Sequence, residues 1–357
     1  MHVGLIGARG FGRHHLQAMQ NSPHVAAVTL AGRNREALET LREAYPKVRG
    51  IATDYHELLN DGSIDLLDIV VPHDLHLPVA LAAFQKGKHV LVEKPPARTV
   101  EEFRRMLAAS QAVHRRLFVV MNLLFGSVQQ AVRRVVDAGV LGQPFLSLEV
   151  NVGEAARVYE DPENWRADRE RCGGGLLIDG GFHSVYRQLY FLESLGAPRW
   201  LTADCAQIGV HQPAKGEDFA ALTLQYESPH VQSPGGGARL HLMNGWTVRA
   251  GLGRFPSGIL GTEGSLLFTG DAAVPLVIRR PDAQDEPVSV PPGPNGFPET
   301  VTACVAHYLE CLATGAPPHA DVDLALLTLE IITSAYRAAE EGHRMELTGD
   351  FTTRFPS

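Results

Sequence analysis

The fold class is indicated most clearly by one segment near the N-terminus, Val3-Gly4-Leu5-Ile6-Gly7-Ala8-Arg9-Gly10-Phe11-Gly12. Its first four residues are an apolar run typical of a buried strand, and a helical pattern follows the last glycine. A glycine-rich turn between a strand and a helix is typical of dinucleotide-binding domains, because the glycines permit a tight turn and close helix packing. The helix N-terminus then presents N–H groups to a pyrophosphate. Arg9 replaces the middle glycine, so its side chain must either point away or wrap around the phosphates.

The rest of the first 121 residues repeats this alternation of strand and helix. Strands joined by helical crossovers are parallel, and these strands are almost continuously apolar, as a sheet covered on both faces requires. We therefore predict a doubly wound parallel sheet, the Rossmann arrangement, over residues 1–121. Its further strands are expected at 25–31, 66–71, 89–92 and 118–121, with a short helix starting at Asp54 and others starting at Asn34, Pro78 and Thr99.

Beyond residue 121 the pattern changes to that of an α+β domain. Strand-like runs separated by Gly, Pro and Asn predict one large, open and mostly antiparallel sheet over residues 122–357. The runs lie at 145–150, 200–208, 219–226, 238–243, 247–252, 264–268 and 276–280. Helical patterns are expected at 128–138, from the glycines at 173–175 to about 195, at 299–314 and at 321–341.

Composition excludes several classes of protein. The chain has 357 residues, 45% of them hydrophobic, which is enough apolar material for folded domains. Its net charge is 32 − 40 = −8 and it has no basic run, which argues against a nucleic-acid partner. No apolar stretch reaches the ~18 residues of a membrane span, and no leader pattern is present, so we expect a cytoplasmic protein. The scattered cysteines predict reduced thiols and no metal site; they are Cys172, Cys205, Cys304 and Cys311.

The end of the second predicted strand bears on the choice of cofactor. An acidic residue there would bind the ribose hydroxyls of NAD, but this chain has Gly32-Arg33-Asn34. Because Arg33 can pair with a 2′-phosphate, with Arg35 as a second candidate, we expect NADP to be preferred over NAD. The alternative is that Arg33 and Arg35 are merely solvated residues at a helix start.

Two segments carry candidate catalytic groups. Lys94 follows the fourth predicted strand, at the carboxyl edge where open α/β sheets bind ligands. Asp179 and His183 are four residues apart in a helical pattern, so a carboxylate would lie one turn from an imidazole that can transfer a proton. The alternatives are a surface lysine, a helix-capping aspartate and a core histidine. Since the candidates fall in different domains, we expect them to meet at the interdomain cleft.

The sequence resembles a known family over nearly its whole length. It is similar to the Gfo/Idh/MocA oxidoreductases, which include glucose–fructose oxidoreductase and the inositol dehydrogenases. The segments that carry the resemblance are Gly7–Gly12, Pro72-His73-Asp74-Leu75-His76, Gly87-Lys88-His89-Val90-Leu91-Val92-Glu93-Lys94-Pro95, Gly173–His183, Gly261-Thr262-Glu263-Gly264 and the two closing helices.

The resemblance implies roles for individual residues. It places the family's catalytic lysine, aspartate and histidine on Lys94, Asp179 and His183. It places Pro72 and His76 on the nicotinamide side of the cofactor and makes Glu93 a cofactor-contacting carboxylate. The complete set of expected cofactor-binding residues is Gly7, Arg9, Gly10, Phe11, Gly12, Gly32, Arg33, Asn34, Pro72, His73, His76, Glu93 and Lys94.

The chain also departs from the family pattern. Besides Arg9, His73 stands where Asn is common, and Tyr186 stands where many members carry an Asp three residues after the histidine. Leu123 and Leu124 occupy a stretch that often carries Arg. These changes alter the polar groups available to a sugar, so the substrate does not follow from the best-known members.

The favoured function is an NAD(P)-dependent dehydrogenase or reductase. It would transfer a hydride between nicotinamide and a sugar, polyol or related hydroxylated or keto compound. The alternative is a non-catalytic protein of the same fold that senses a dinucleotide or sugar; the presence of both Lys94 and His183 favours the enzyme. The open sheet of the second domain further predicts a homo-oligomer, a dimer or a tetramer.

Overall fold

The computed structural model describes residues 1–153, 155, 158, 161, 164–196, 198–209, 215–227, 237–247 and 257–347. The chain forms two compact units. The first comprises 1–125 and 294–326, and the second comprises 126–293 and 327–357. No helix within the described ranges is long and apolar enough to cross a membrane.

The first unit contains a six-stranded parallel sheet in the order β3-β2-β1-β4-β5-β6. The order reverses between β1 and β4, and ligands of such sheets bind beyond the carboxyl ends of the strands at this point. Its strands are β1 (His2–Ile6), β2 (Ala27–Ala31), β3 (Val48–Ala52), β4 (Leu66–Ile69), β5 (His89–Val92) and β6 (Leu117–Val119). The helices among them are α1 (Gly12–Asn21), α2 (Arg35–Ala44), α3 (Tyr55–Asn60), α4 (His76–Gln85) and α5 (Val100–Ala112), with short 3-10 helices at His73–Leu75 and Asn122–Phe125.

The predicted strands and caps of this unit are present, and one strand was missed. Asn34 and Thr99 cap α2 and α5 as expected, since their side chains accept hydrogen bonds from the N–H groups of Ala37 and Glu102. The missed strand is β3, an edge strand. Arg49 and Gly50 interrupt its apolar run, because an edge position does not require continuous burial.

The chain returns to the first unit after residue 293. Helix α10 (Phe297–Thr314) places Val301, Cys304 and Tyr308 in the same buried cluster as residues of β1, β2 and α1. The Tyr308 hydroxyl donates a hydrogen bond to the Val119 carbonyl, 2.9 Å away. The predicted division assigned all of 122–357 to the second domain. The structure instead groups 294–326 with the first, because the apolar face of α10 is buried there.

The second unit is built on a nine-stranded sheet in the order β14-β13-β12-β11-β7-β10-β9-β8-β15. Only β7 and β10 pair in parallel among its described strands, and the predicted mostly antiparallel sheet is confirmed. The strands are β7 (Pro144–Val152), β8 (Pro198–Ala206), β9 (Phe219–Tyr226), β10 (Arg239–Gly245), β11 (Ser257–Gly261), β12 (Ser265–Phe268), β13 (Leu276–Arg279), β14 (Glu286–Pro287) and β15 (Met345–Glu346). The strand expected at 247–252 lies, except for Thr247, outside the described residues.

The long helix expected after the three glycines is broken into α8 (Leu176–Asp179) and α9 (Gly181–Phe191). Gly180 lies at the break, where a Cβ atom would come within 2.9 Å of the Trp246 ring. That contact comes from a distant part of the chain, so local periodicity does not predict it. The remaining helices are α6 (Ser127–Asp137), α7 (Arg169–Cys172) and α11 (Val322–Glu341), with 3-10 helices at Trp165–Ala167 and Glu193–Leu195.

Candidate active site

The glycine-rich turn fits a dinucleotide for reasons visible in its packing. A Cβ atom on Gly7 would lie 1.9 Å from the Val70 carbonyl oxygen, and one on Gly12 would lie 2.1 Å from the Gly7 carbonyl oxygen. Gly10 has a positive φ of 57°, and a Cβ atom there would meet nothing within 4 Å. The first and last glycines therefore hold strand and helix together, while the middle of the turn leaves open space beside it.

The N-terminus of α1 can accept an anion. Phe11 occupies the cap position without a side-chain capping hydrogen bond, and the first helical turn carries no acidic residue. Peptide N–H groups at such a helix end stabilise a phosphate. Arg9 and Phe11 are both exposed beside the turn, and the Phe11 ring contacts the ring of Phe297 edge to face. The residues present thus fit the pyrophosphate of NAD(P).

The end of β2 lies where a cofactor ribose is expected. Gly32 continues the strand by donating its N–H to the Ala52 carbonyl, and Arg33 is exposed. The Asn34 side chain is engaged as the cap of α2. Arg35 lies 4.0 Å from Glu39 on the outer face of that helix. Arg33 is thus an exposed guanidinium next to the ribose position, without a carboxylate at the strand end.

Lys94 lies just beyond β5, and side chains hold the backbone on both sides of it. Glu93 Oε2 accepts a hydrogen bond from the Lys94 N–H at 3.0 Å. His76 Nδ1 lies 2.9 Å from the carbonyl oxygen of Pro95, and the Lys94–Pro95 peptide bond is cis. Hydrogen bonds therefore hold the turn that carries Lys94 in place, although this turn lies beyond the hydrogen-bonded part of β5.

Three residues predicted to bind the cofactor follow β4. Pro72 precedes a 3-10 helix, and His73 and His76 are both buried with their rings 5.6 Å apart. The His76 ring lies between two carbonyl oxygens, since its Nε2 is 2.9 Å from that of Val71. Burial lowers the pKa of His76. Its observed contacts join the turns that follow β4 and β5, and a contact with the cofactor stays a prediction.

A buried ionic group lies beneath Glu93. His15, on the inner face of α1, is fully buried between Asp68 of β4 and Glu93. Its Nδ1 is 2.8 Å from Asp68 Oδ2 and its Nε2 is 3.0 Å from Glu93 Oε1. Burial disfavours the imidazolium, but the two carboxylates outweigh that effect and raise the pKa of His15 to about 10. The residue is therefore a cation at neutral pH.

In the second unit, the glycine-rich segment is held by a tyrosine and a glutamate. The Tyr336 hydroxyl accepts the N–H groups of Gly175 and Ile178 at 3.3 and 3.2 Å and donates to Glu217 Oε1 at 2.9 Å. The same carboxylate oxygen accepts the Leu177 N–H at 2.8 Å. Burial raises the pKa of Glu217. This network fixes the start of α8, which carries Asp179.

Asp179 and His183 each have a distinct partner. Arg166 Nε donates to Asp179 Oδ2 at 3.0 Å, and the guanidinium also lies over the Trp165 ring. His183 Nδ1 lies 2.8 Å from the hydroxyl of Tyr186. The carboxylate is 7% exposed in its side chain and the histidine is also buried. A carboxylate paired with a guanidinium and an oriented imidazole are therefore present in α8 and α9, but not on one continuous helix as the sequence predicted.

Sequence reasoning missed several of these residues, and some left a signal. Asp68 is the one charge inside the apolar run Leu66–Val71, which marks it as a residue that needs a buried partner. Tyr186 was noted as a departure from the family pattern, and the structure shows that it contacts the histidine. Arg166 lies in a polar stretch without periodicity, where no local pattern connects it to Asp179.

Comparisons with known proteins agree with this architecture. Residues 1–121 match the GFO_IDH_MocA model, described as an oxidoreductase family with an NAD-binding Rossmann fold, and residues 129–267 match the GFO/IDH/MocA C-terminal domain. D-apiose dehydrogenase of Paraburkholderia graminis is 26% identical over 96% of this chain and 88% of that protein. D-xylose 1-dehydrogenase (NADP(+)) of Haloarcula marismortui is 25% identical over 80% of this chain and 76% of that protein.

A solved structure shares the same fold. Levoglucosan dehydrogenase, in complex with NADH and levoglucosan, aligns with a TM-score of 0.83 at 19% identity, covering 98% of this chain and 100% of that one. The predicted fold and the predicted NAD(P)-dependent oxidoreductase are confirmed. The two family models together span most of the chain, which belongs to the Gfo/Idh/MocA family of oxidoreductases.

Proposed function

We propose that this oxidoreductase acts on a sugar, a polyol or a closely related hydroxylated or keto compound. The observation that carries the proposal is the turn after β5, where Glu93 and His76 fix the backbone on both sides of Lys94. The named relatives support the substrate class, since they include dehydrogenases of D-apiose and D-xylose. Which sugar is used is a matter for the experiment below.

The residues of the chain divide the work of an alcohol oxidation or its reverse. Bound NAD(P) accepts or supplies the hydride. Lys94 polarises the substrate oxygen, and His183 takes up the hydroxyl proton in oxidation and returns it in reduction. Asp179, held by Arg166, accepts a hydrogen bond from a neighbouring hydroxyl of the substrate or orients His183.

We infer a preference for NADP over NAD. The exposed Arg33 beside the strand end, together with the absence of a carboxylate at residues 32–34, favours a 2′-phosphate at this position. Arg9 supplies a second exposed guanidinium, beside the glycine-rich turn where we expect the pyrophosphate to bind.

We further propose a cytoplasmic homo-oligomer that buries the outer face of the nine-stranded sheet against a second copy. Helices α8 and α9 pack on the inner face, where Leu240 and Leu242 are buried. The outer positions of β7 are Leu146, Leu148 and Val150, all apolar and only partly buried. On β10 the outer positions begin with the polar residues Arg239 and His241, so β7 rather than β10 supplies the apolar positions of this face. Light scattering that shows a monomer at micromolar concentration would contradict this assembly.

A cofactor-linked absorbance screen tests the activity. The purified protein is incubated with NADP or NAD and a panel of aldoses, inositols and other polyols, and with the reduced cofactors and keto-sugars for the reverse direction. We expect turnover with at least one compound and a loss of about 10²–10⁴-fold in kcat in the Lys94→Ala variant. Tight dinucleotide binding without turnover on any compound would instead support a sensor.

A further inference from the structure

We propose that His15 is a positioning residue for the reaction, acting on Lys94 through Glu93. This inference rests on the proposed function, in which Lys94 contacts the substrate oxygen. It extends that function to a residue that lies inside the fold, in α1, and contacts neither substrate nor cofactor.

An unbroken series of hydrogen bonds connects Asp68 to the backbone of Lys94. Asp68 Oδ2 accepts from His15 Nδ1 at 2.8 Å, and His15 Nε2 donates to Glu93 Oε1 at 3.0 Å. The other oxygen of Glu93 accepts the N–H of Lys94 at 3.0 Å. A core strand is thus connected to the backbone of the candidate catalytic residue through one imidazole.

The buried charges of His15 and Asp68 are not needed to fill the core. A fully buried histidine and aspartate destabilise a core unless they are paired, and an apolar pair of similar size would fill the space at least as well. The pair is placed where it can anchor Glu93, whose side chain is 14% exposed and reaches the surface turn. Retention of buried charge at this position is explained if the turn needs a rigid anchor.

The neighbouring titratable groups determine the charge of the His15 ring. The titratable groups facing His15 are Asp68 from β4 and Glu93 from the end of β5, with Cys304 of α10 close to both carboxylates. Burial raises the pKa of the Cys304 thiol, so that group is neutral. With its pKa raised to about 10, the ring is an imidazolium at neutral pH, so both nitrogens carry a proton and donate to the carboxylate oxygens beside them.

Three variants test the role. His15→Phe with Asp68→Leu replaces the buried ion pair by apolar side chains and removes the donor to Glu93. His15→Gln with Asp68→Leu differs only at residue 15 and restores one N–H donor towards Glu93. Asp68→Asn removes the charge beside His15 but keeps a neutral imidazole that can still donate from Nε2, so it separates the effect of the donor from that of the charge.

We expect the Phe/Leu variant to lose 10- to 100-fold in kcat, with the Kd for NADPH changed less than threefold. The Gln/Leu variant should recover most of that loss, and Asp68→Asn, which keeps a donor towards Glu93, should lose clearly less than the Phe/Leu variant. Equal kcat in a folded Phe/Leu variant and the wild type would overturn the role of His15. Lack of turnover in the wild type itself would overturn the proposed function instead.

A measurement on the unmodified protein covers the case in which the Phe/Leu variant does not fold. Nitrogen-15 NMR of the labelled histidines reports the protonation of each ring nitrogen without any turnover. We expect both nitrogens of His15 to stay protonated from neutral pH to about pH 9. An unprotonated Nε2 at neutral pH would remove the donor to Glu93 and overturn the proposal.

Discussion

The hydroxyl of Tyr186 lies 2.8 Å from Nδ1 of His183, and both side chains are buried on the same helix. Whichever of the two donates, the hydrogen bond fixes the orientation of the imidazole ring. Many members of the family carry an aspartate at the position of Tyr186, by the resemblance noted above.

Removing this hydroxyl should slow turnover without unfolding the protein. A neutral hydrogen bond contributes about 0.5–1.5 kcal/mol, so we expect Tyr186→Phe to lower kcat about three- to tenfold. Tyr190→Phe, one turn later on α9, makes the same chemical change away from His183 and should leave kcat unchanged. Comparing kcat and thermal unfolding of both variants checks this; equal kcat in the two would contradict it.

The cofactor preference can be tested at Arg33. If its guanidinium binds a 2′-phosphate, Arg33→Ala should weaken NADPH binding about tenfold or more and leave NADH binding within about twofold. Arg35→Ala, at a helical position facing Glu39, is the matched control and should affect neither strongly. Fluorescence titration with each reduced dinucleotide measures both constants. A clear NADH preference in the wild type, or equal weakening of both by Arg33→Ala, would sink the assignment.

Two of the three glycines of the turn, Gly10 and Gly12, should respond differently to alanine. At Gly12 a Cβ atom would lie 2.1 Å from a backbone oxygen, so Gly12→Ala should cost about 3 kcal/mol or more and weaken dinucleotide binding. At Gly10 only the left-handed backbone opposes alanine, which costs about 1–2 kcal/mol. Chemical unfolding of both variants gives the two values, and a larger loss at Gly10 would contradict the packing described here.

Stability should depend on pH through His15. Its pKa is raised to about 10 in the folded protein from an ordinary value near 6.5, so its stabilisation is complete below pH 6.5. That contribution is lost as the pH rises towards 10. The free energy of unfolding of the wild type, relative to the His15→Phe/Asp68→Leu variant, should therefore fall steadily between pH 6.5 and 10. A difference that does not change over this range would show that His15 is uncharged.

Periodicity predicted most of the first unit because its signals are local. A parallel sheet covered on both faces needs continuous apolar strands, and five of its six strands show them. The missed edge strand β3 tolerates Arg49 and Gly50, so its sequence resembles a loop. The candidate catalytic residues were named from position and family resemblance, and the structure adds partners for Asp179 and His183.

Arg166, the partner of Asp179, could not be predicted, since it lies in a polar stretch without periodicity, whereas Tyr186 lies only three residues from His183 on α9. The contacts of Trp246 at Gly180 and of Tyr336 at the start of α8 also come from distant parts of the chain. A pattern confined to neighbouring residues carries no trace of either contact. Asp68 was missed although its signal was present, because a single charge in an apolar strand indicates a buried partner even when that partner is unknown.

The return of α10 to the first unit has a consequence for how this protein is made. The buried cluster that α1 and β1 share with Val301 and Tyr308 cannot close until a segment about 280 residues beyond α1 has been synthesised. Contacts of such sequence separation form slowly, and apolar surface that waits for them is prone to association. On the ribosome, the first unit is thus begun first and completed almost last. A gene fragment ending near residue 121 should therefore yield an aggregating product.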